Sequence, residues 1–308
     1  MQILYGQAGC GPVGRLTTFQ GRPRGFRPVL PNVLNEIAMF LSLPRLTTAT
    51  AAGLLVLALA PSAFAQDGED DGFHPLVGVA GLYRPQFRGS DDYEFQPLPF
   101  IGFQYELGGR TLSMEGLDLK LDLLSGDRFQ AGPILGWRSG RDDDIDNAVV
   151  RLLPSIDGTV EGGVFANIGW NVGSGRIGAG AKVLADLGGV DGGYTVTADL
   201  SWAAPVSDRL SYSVGANIVW ADEDYMQTYY GVTAVGAAAS GLAAYRADSG
   251  VESVGLSASA RYQLNARWGI ALLASYDRLL DQAADTPIVT QEGSENQARV
   301  GFAVYRAF

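Results

Sequence analysis

Ser211–Trp220 reads SYSVGANIVW, and the fold follows from it. Successive side chains of an extended strand point to opposite sides. One face here therefore carries Tyr212, Val214, Ala216, Ile218 and Trp220, and the other Ser211, Ser213, Gly215, Asn217 and Val219. The same layout recurs in Tyr194–Trp202 (YTVTADLSW), Trp268–Tyr276 (WGIALLASY) and Phe129–Trp137 (FQAGPILGW). Each stretch sets two aromatics eight positions apart on one face, with small or aliphatic residues between. Eight steps span about 26 Å of strand, or about 20 Å of height at a tilt near 40°. That matches the apolar band of an outer-membrane barrel with its two aromatic girdles. Phe129, Trp137, Tyr194, Trp202, Tyr212, Trp220, Trp268 and Tyr276 are the candidate girdle residues. A soluble sandwich also alternates, but it has no reason to keep this spacing or to put glycine, serine and aspartate on its inner face.

The fold class is therefore all-β, a closed antiparallel transmembrane β-barrel. Lipid offers no hydrogen bonds, so the strands must close on themselves. Clear strands fall at roughly 75–84, 94–105, 128–138, 159–171, 176–186, 193–203, 210–220, 251–264, 268–279 and 297–308. Residues 109–124 (GRTLSMEGLDLKLDLL) decide the parity. Read as two short strands, Arg110–Met114 and Leu117–Leu123, turning at Glu115-Gly116, they give twelve strands and return both barrel termini to the periplasm. Ten strands is the alternative. Short turns at Ser125–Asp127, Gly173–Gly175, Pro205–Arg209 and Asn265–Arg267 belong to the periplasmic side, and the connections 139–158, 221–250 and 280–296 to the outside.

Ahead of the strands, Ala49–Ala60 (ATAAGLLVLALA) is apolar but too short to span a bilayer as a helix. With Arg45 before it and Ala63-Phe64-Ala65 after it, it reads as a signal peptide over 39–65, cleaved before Gln66. Residues 1–38 are read as a misassigned start, or else as an extended n-region, leaving 66–308 as the barrel. The whole chain has 22 basic and 33 acidic residues. Removal of residues 1–65 takes away five arginines and Glu36, which leaves 17 against 32, a net −15. An acidic protein lacks the basic face that nucleic-acid binding needs. Cys10 is the only cysteine and falls in the removed part, so the exported chain has neither a disulfide nor a cysteine-held metal. The 34 glycines of 66–308 fit a crowded barrel interior.

Catalytic chemistry finds little support. His74 is the only histidine, and it sits before Pro75 at the start of the first strand, so a histidine-dependent hydrolase is excluded. Gly178-Ala179-Gly180 precedes no helix and lacks the N-terminus that would hold phosphate. Asp142-Asp143-Asp144 with Asp146 lacks calcium-loop spacing and reads as a solvated loop face that exchanges cations with lipopolysaccharide. The reading is a non-enzyme with no cofactor and no metal, set in outer-membrane lipid and lipopolysaccharide. The most distinctive polar group is Asp222, Glu223, Asp224, Tyr225, Gln227, Tyr229 and Tyr230 in the longest outer loop. It either seals the barrel mouth through hydroxyl–carboxylate hydrogen bonds or meets a partner or cationic solute. Inner-face charges are Asp118, Lys120, Asp122, Asp199 and Asp277. They line a narrow cation-favouring channel, or else side chains fill the bore.

Several motifs carry a family resemblance. Gly89-Ser90-Asp91-Asp92-Tyr93 with Pro97-Leu98-Pro99, the run Asp222–Val232, Ser240-Gly241-Leu242 with Tyr245, Asp277–Leu280 and Ala284–Val289 resemble the MipA/OmpV family of outer-membrane proteins over about residues 73–308. The resemblance implies a scaffold that brings a lytic murein transglycosylase together with a bifunctional peptidoglycan synthase in envelope maintenance. Other members are surface proteins and adhesins, so a channel for polar solutes and an adhesin stay open as alternatives. The family pattern ends in Tyr-x-Phe, whereas this chain reads Tyr305-Arg306-Ala307-Phe308, which sets Tyr305 and Phe308 on opposite faces.

Overall fold

A computed structural model of the protein describes residues 73–124, 126 and 128–308, without the side chain of His74. The signal-peptide reading of 39–65 and the stretches 1–38 and 66–72 lie outside the described residues. Twelve antiparallel strands close into a barrel. They are β1 Phe73–Pro85, β2 Tyr93–Glu106, β3 Thr111–Glu115, β4 Asp118–Asp122, β5 Phe129–Arg138, β6 Thr159–Val172, β7 Gly175–Asp186, β8 Tyr194–Ser207, β9 Leu210–Ala221, β10 Gly250–Gln263, β11 Trp268–Leu279 and β12 Asn296–Ala307. Every strand pairs with its sequence neighbours, and β1 meets β12 in a register running from Leu76↔Ala307 to Tyr83↔Val300. Twelve strands, not ten, is the count.

Alternation works as the sequence implies, but with lipid as the outer solvent. Val79, Val164, Leu200, Leu256 and Leu272 point outward and are exposed, while Phe100, Leu273, Ala303 and Tyr305 pack inside. Inner-face glycines make room for polar neighbours. A Cβ on Gly180 would stand 2.6 Å from Asp199 Oδ1 and 2.7 Å from Asn167 Oδ1. Tyr305 is buried against Phe100 while Phe308 is exposed, so the two lie on opposite faces as the spacing requires.

One sector of the wall is low. β3 and β4 have five residues each, about 17 Å, and pair with β2 only at Phe103–Glu106 and with β5 at Leu135 and Ile134. Leu107 and Arg110 exchange backbone hydrogen bonds, so odd positions of β2 direct their amide groups toward β3. Above Phe103 that edge has no ladder partner among the described residues. Pro97 and Pro99 fall on it, and proline has no N–H to leave unpaired.

The outer connections are more ordered than alternation foretells. They hold a 3₁₀ turn, Val150–Leu152, and four short helices: α1 Glu223–Tyr230, α2 Ala234–Ser240, α3 Asp281–Asp285 and α4 Pro287–Thr290. Helices this short show no sustained period in sequence, but their caps are chemically plain. Asp222 accepts from Tyr225 N, Thr233 from Gly236 N and Thr286 from Ile288 N, with Pro287 at the first helical position.

Candidate functional site: the capped mouth and the bore

The long-loop end of the barrel is covered by a small folded cap with two apolar cores. One gathers Tyr225, Met226, Tyr229 and Tyr230 of α1 with Ile156, Leu279, Ala283 and Val289. The other joins Phe87, Ile145, Val150, Leu153, Val232, Leu242 and Ile288. Met226, Tyr230, Leu279 and Ile288 are fully buried. The two cores draw on the connections 86–92, 139–158, 222–249 and 280–295, so these loops close over the mouth together.

An ion pair on a buried carboxylate ties the cap to the wall. Arg88 donates to Glu252 through Nε at 2.5 Å and Nη2 at 2.6 Å, and Nη2 also reaches Ser253 Oγ at 3.0 Å. The hydroxyls of Tyr225 and Tyr230 donate to Glu252 Oε1 at 2.9 and 2.7 Å. Burial, and then the Glu252 carboxylate, push both phenols well above the usual tyrosine range, so they remain donors. Burial alone would lower the Arg88 guanidinium, but Glu252 more than offsets it and holds it well above its ordinary value. Four donors on one buried carboxylate satisfy the requirement that such a charge be paired and hydrogen-bonded. Nearby, Arg138 donates to Asp191 Oδ2 at 2.8 Å and to Glu161, and its guanidinium lies 4.3 Å from the Tyr225 ring centre.

Among the mouth residues named from sequence, Tyr225, Tyr229 and Tyr230 are buried. Asp222 caps α1 and also accepts from Tyr194 N, joining the helix to β8. Gln227 Oε1 accepts from Ala247 N at 3.0 Å. Glu223 and Asp224 face outward, Glu223 in an exposed pair with Arg246. The partners Arg88, Glu252, Arg138 and Glu161 escape sequence reading, and Glu252 does so for a definite reason. The β9–β10 register shifts between Val251 and Ser253, so Glu252 sits in a bulge. Strict alternation would place it outward with Val254 and Leu256, whereas a bulge re-aims the strand and turns Glu252 inward.

Below the cap runs a cavity of about 660 Å³. Its lining extends from Arg128, Arg176 and Ala203 at the short-turn end to Arg88, Arg138 and Tyr225 at the mouth. Asp118, Lys120, Asp122, Asp199 and Asp277 all line it. Lys182 pairs with Asp118 at 3.0 Å, Lys120 with Glu115 at 2.9 Å and Arg299 with Asp277 at 2.5 Å. Asp122 Oδ1 accepts from Ala131 N and Leu124 N. The expectation of an acidic bore is corrected here. Among the described residues, eight basic ones (Arg84, Arg88, Lys120, Arg128, Arg138, Arg176, Lys182, Arg299) line it with seven acidic ones (Glu115, Asp118, Asp122, Glu161, Asp199, Glu252, Asp277). Much of the acidic surplus lies outside the bore, as at Asp91, Asp143, Asp144 and Asp224.

On the outer face, the eight candidate girdle residues fall into two rows. Trp137, Tyr194, Trp220 and Tyr276 stand toward the long-loop ends of their strands, and Phe129, Trp202, Tyr212 and Trp268 toward the short-turn ends. The rows meet across β8 and β9: Tyr194 and Trp220 have ring centres 5.6 Å apart, and Trp202 Nε1 donates to Tyr212 OH at 3.1 Å. The backbone of His74 pairs with Gln104 in β1–β2. Among the described residues no group of three or more histidine, cysteine, aspartate or glutamate side chains could hold a metal ion.

Residues 77–308 match the family model described as MltA-interacting protein MipA. The chain belongs to this family. It is 24% identical over 224 residues to an Escherichia coli (strain K12) protein described as "Putative outer membrane protein YiaT", covering 71% of this chain and 85% of that one. Among solved structures, the NanC porin aligns over 75% of this chain and 98% of its own, with 10% identity and a TM-score of 0.41. The translocator domain of autotransporter NalP from Neisseria meningitidis aligns over 78% and 89%, with 11% identity and a TM-score of 0.39. The protein is an outer-membrane β-barrel of the MipA family.

Proposed function

We propose that this barrel is a non-enzymatic scaffold, closed at its outer mouth, which holds murein-hydrolysing and murein-synthesising enzymes together at its periplasmic rim. The observation that carries the reading is the cap. A conduit gains nothing from two dry cores and an Arg88–Glu252 pair across its opening, whereas a scaffold gains a rigid cylinder. The family description, which names interaction with MltA, supports a murein enzyme as one partner. The two aromatic rows would mark the membrane interfaces and so fix the height at which the short turns meet the periplasm. Cross-linked envelopes should yield the barrel with a murein transglycosylase and a peptidoglycan synthase. Recovery of neither would overturn the scaffold.

A narrow channel is the second reading, favoured by the continuous bore of about 660 Å³. Its near balance of charge gives no ground for cation preference. Planar-bilayer recordings decide this: the scaffold reading expects no conductance until the cap is opened.

A further inference from the structure

Beside the Glu252 ion pair lies a second cavity of about 50 Å³, lined by Arg88, Arg138, Arg141, Phe87, Tyr225 and Tyr229 among others. It shares Arg88, Arg138 and Tyr225 with the end of the bore, so it lies beside it as a side chamber. Two of its three arginines are matched by carboxylates, Arg88 by Glu252 and Arg138 by Glu161 and Asp191. Among the described residues Arg141 has no carboxylate paired to it. Its residue is only 7% exposed, its guanidinium lies 5.8 Å from the Phe87 ring centre, and Tyr229 is the one described titratable group that acts on it. Tyr229, also 7% exposed, has a buried hydroxyl with no hydrogen-bond partner among the described residues; the Arg138 guanidinium stands beside it, and the carboxylates near it, Asp191 and Glu161, are taken up by Arg138.

The chamber thus holds one guanidinium with no carboxylate paired to it and one hydroxyl with its hydrogen bond unmade. We propose that Arg141 and Tyr229 form a binding site for a small oxyanion, a phosphate or carboxylate group, at the upper end of the bore. A guanidinium presents paired N–H groups in a plane that suits two oxygens of one such group, and the hydroxyl supplies a third donor from another direction. A water claims about 30 Å³ in the liquid, so the chamber has room for a small ion or the head of a larger molecule, not for a whole sugar. Burial without an opposing carboxylate lowers Arg141 to about 10, and an anion placed between it and Tyr229 would restore what burial removes. The site is anionic in preference although the chain as a whole is acidic. Neither the scaffold nor the channel reading requires it.

The test is calorimetric titration of the folded barrel in a non-ionic detergent with sodium phosphate, acetate and chloride at constant ionic strength. Saturable binding of phosphate or acetate is expected, at least about tenfold tighter than chloride, because only an oxyanion uses both guanidinium donors. Arg141→Gln should abolish it, and Tyr229→Phe should weaken it by about tenfold, the usual effect of one hydrogen bond to a charge. If Arg141→Gln loses the folded mobility of the barrel on unheated gels, Tyr229→Phe, which removes one oxygen, carries the test alone. Phosphorus analysis of washed protein separates the sources. Phosphate that co-purifies with the wild type and is lost in Tyr229→Phe belongs to a larger molecule, while titration without co-purification means a free ion. No saturable binding, equal binding of chloride, or binding unchanged in both variants would overturn the proposal.

Discussion

The cap and the bore sit a few residues apart and hold their carboxylates differently. In both, about a quarter of the basic side chain is exposed, for Arg88 above as for Lys182 and Arg299 below. In the cap, however, Glu252 takes four donors from three residues, whereas Asp118 and Asp277 each take one cation. The first arrangement holds loops onto a wall that would stand without them. The second only neutralises the inside of a wall whose stability comes from its ladder. Closure therefore depends on few contacts, and those contacts should be far more sensitive to substitution than the barrel beneath.

Glu252→Ala should produce the largest effect. It leaves Arg88, a quarter exposed, with Ser253 Oγ alone and strands two buried tyrosine hydroxyls, a loss on the order of 2–5 kcal/mol confined to the cap. Limited proteolysis should then cut within 222–249, and planar bilayers should show conductance, while the barrel keeps its folded mobility on unheated gels. Loss of that mobility would mean that the cap and wall are one cooperative unit.

Met226→Ala tests the apolar half of the same contrast. Met226 is fully buried in the first core, so the truncation should cost the cap roughly 2–5 kcal/mol. It should raise protease sensitivity in 222–249 without altering charge at the mouth. An unchanged digestion pattern would shift closure onto the ion pair alone.

How far these contacts can be read from sequence differs between the two regions. The wall is legible because each strand repeats one rule, side out and side in, and because Gly116 and the parity of the termini force the 109–124 stretch into a hairpin. The cap is not, because its contacts join residues far apart: Arg88 and Glu252 are separated by 164 positions. The tyrosines of 225–230 stand out as a group, yet nothing near them names their acceptor. Glu252 is further hidden by the bulge, which breaks the alternation that makes its neighbours readable. The helices have eight, seven, five and four residues, too short for a 3.6 period, so only their caps at Asp222, Thr233 and Thr286 give them away.

At the boundary between the two regions, Arg141→Met should reveal a pH-dependent penalty. Burial holds Arg141 near 10 in the folded state, well below an ordinary arginine, so the unfolded chain binds more protons above that pH. The penalty of burying the charge is then full below about pH 10 and falls as pH rises further. In anion-free buffer at pH 7–9 the variant should resist proteolysis of the cap at least as well as the wild type. Its advantage should narrow above pH 10 and also on adding phosphate. An advantage that is flat with pH would place water against this guanidinium.

The smallest effect belongs to the bore. Lys182→Met removes one partner of a pair whose lysine is partly solvated and whose buried Asp118 keeps a second cation, Lys120, nearby. With one of two cations retained the cost should be about 1 kcal/mol, so unfolding in urea should shift little and proteolysis of 222–249 should not change. The variant also moves the lining from eight basic and seven acidic residues to an even seven and seven. In a background opened by Glu252→Ala, which itself removes an acid from the lining, it should lower any preference for anions without changing conductance strongly. A large loss of stability would show Asp118 to depend on its partner as strongly as Glu252 does on its four donors, and the contrast between them would fail.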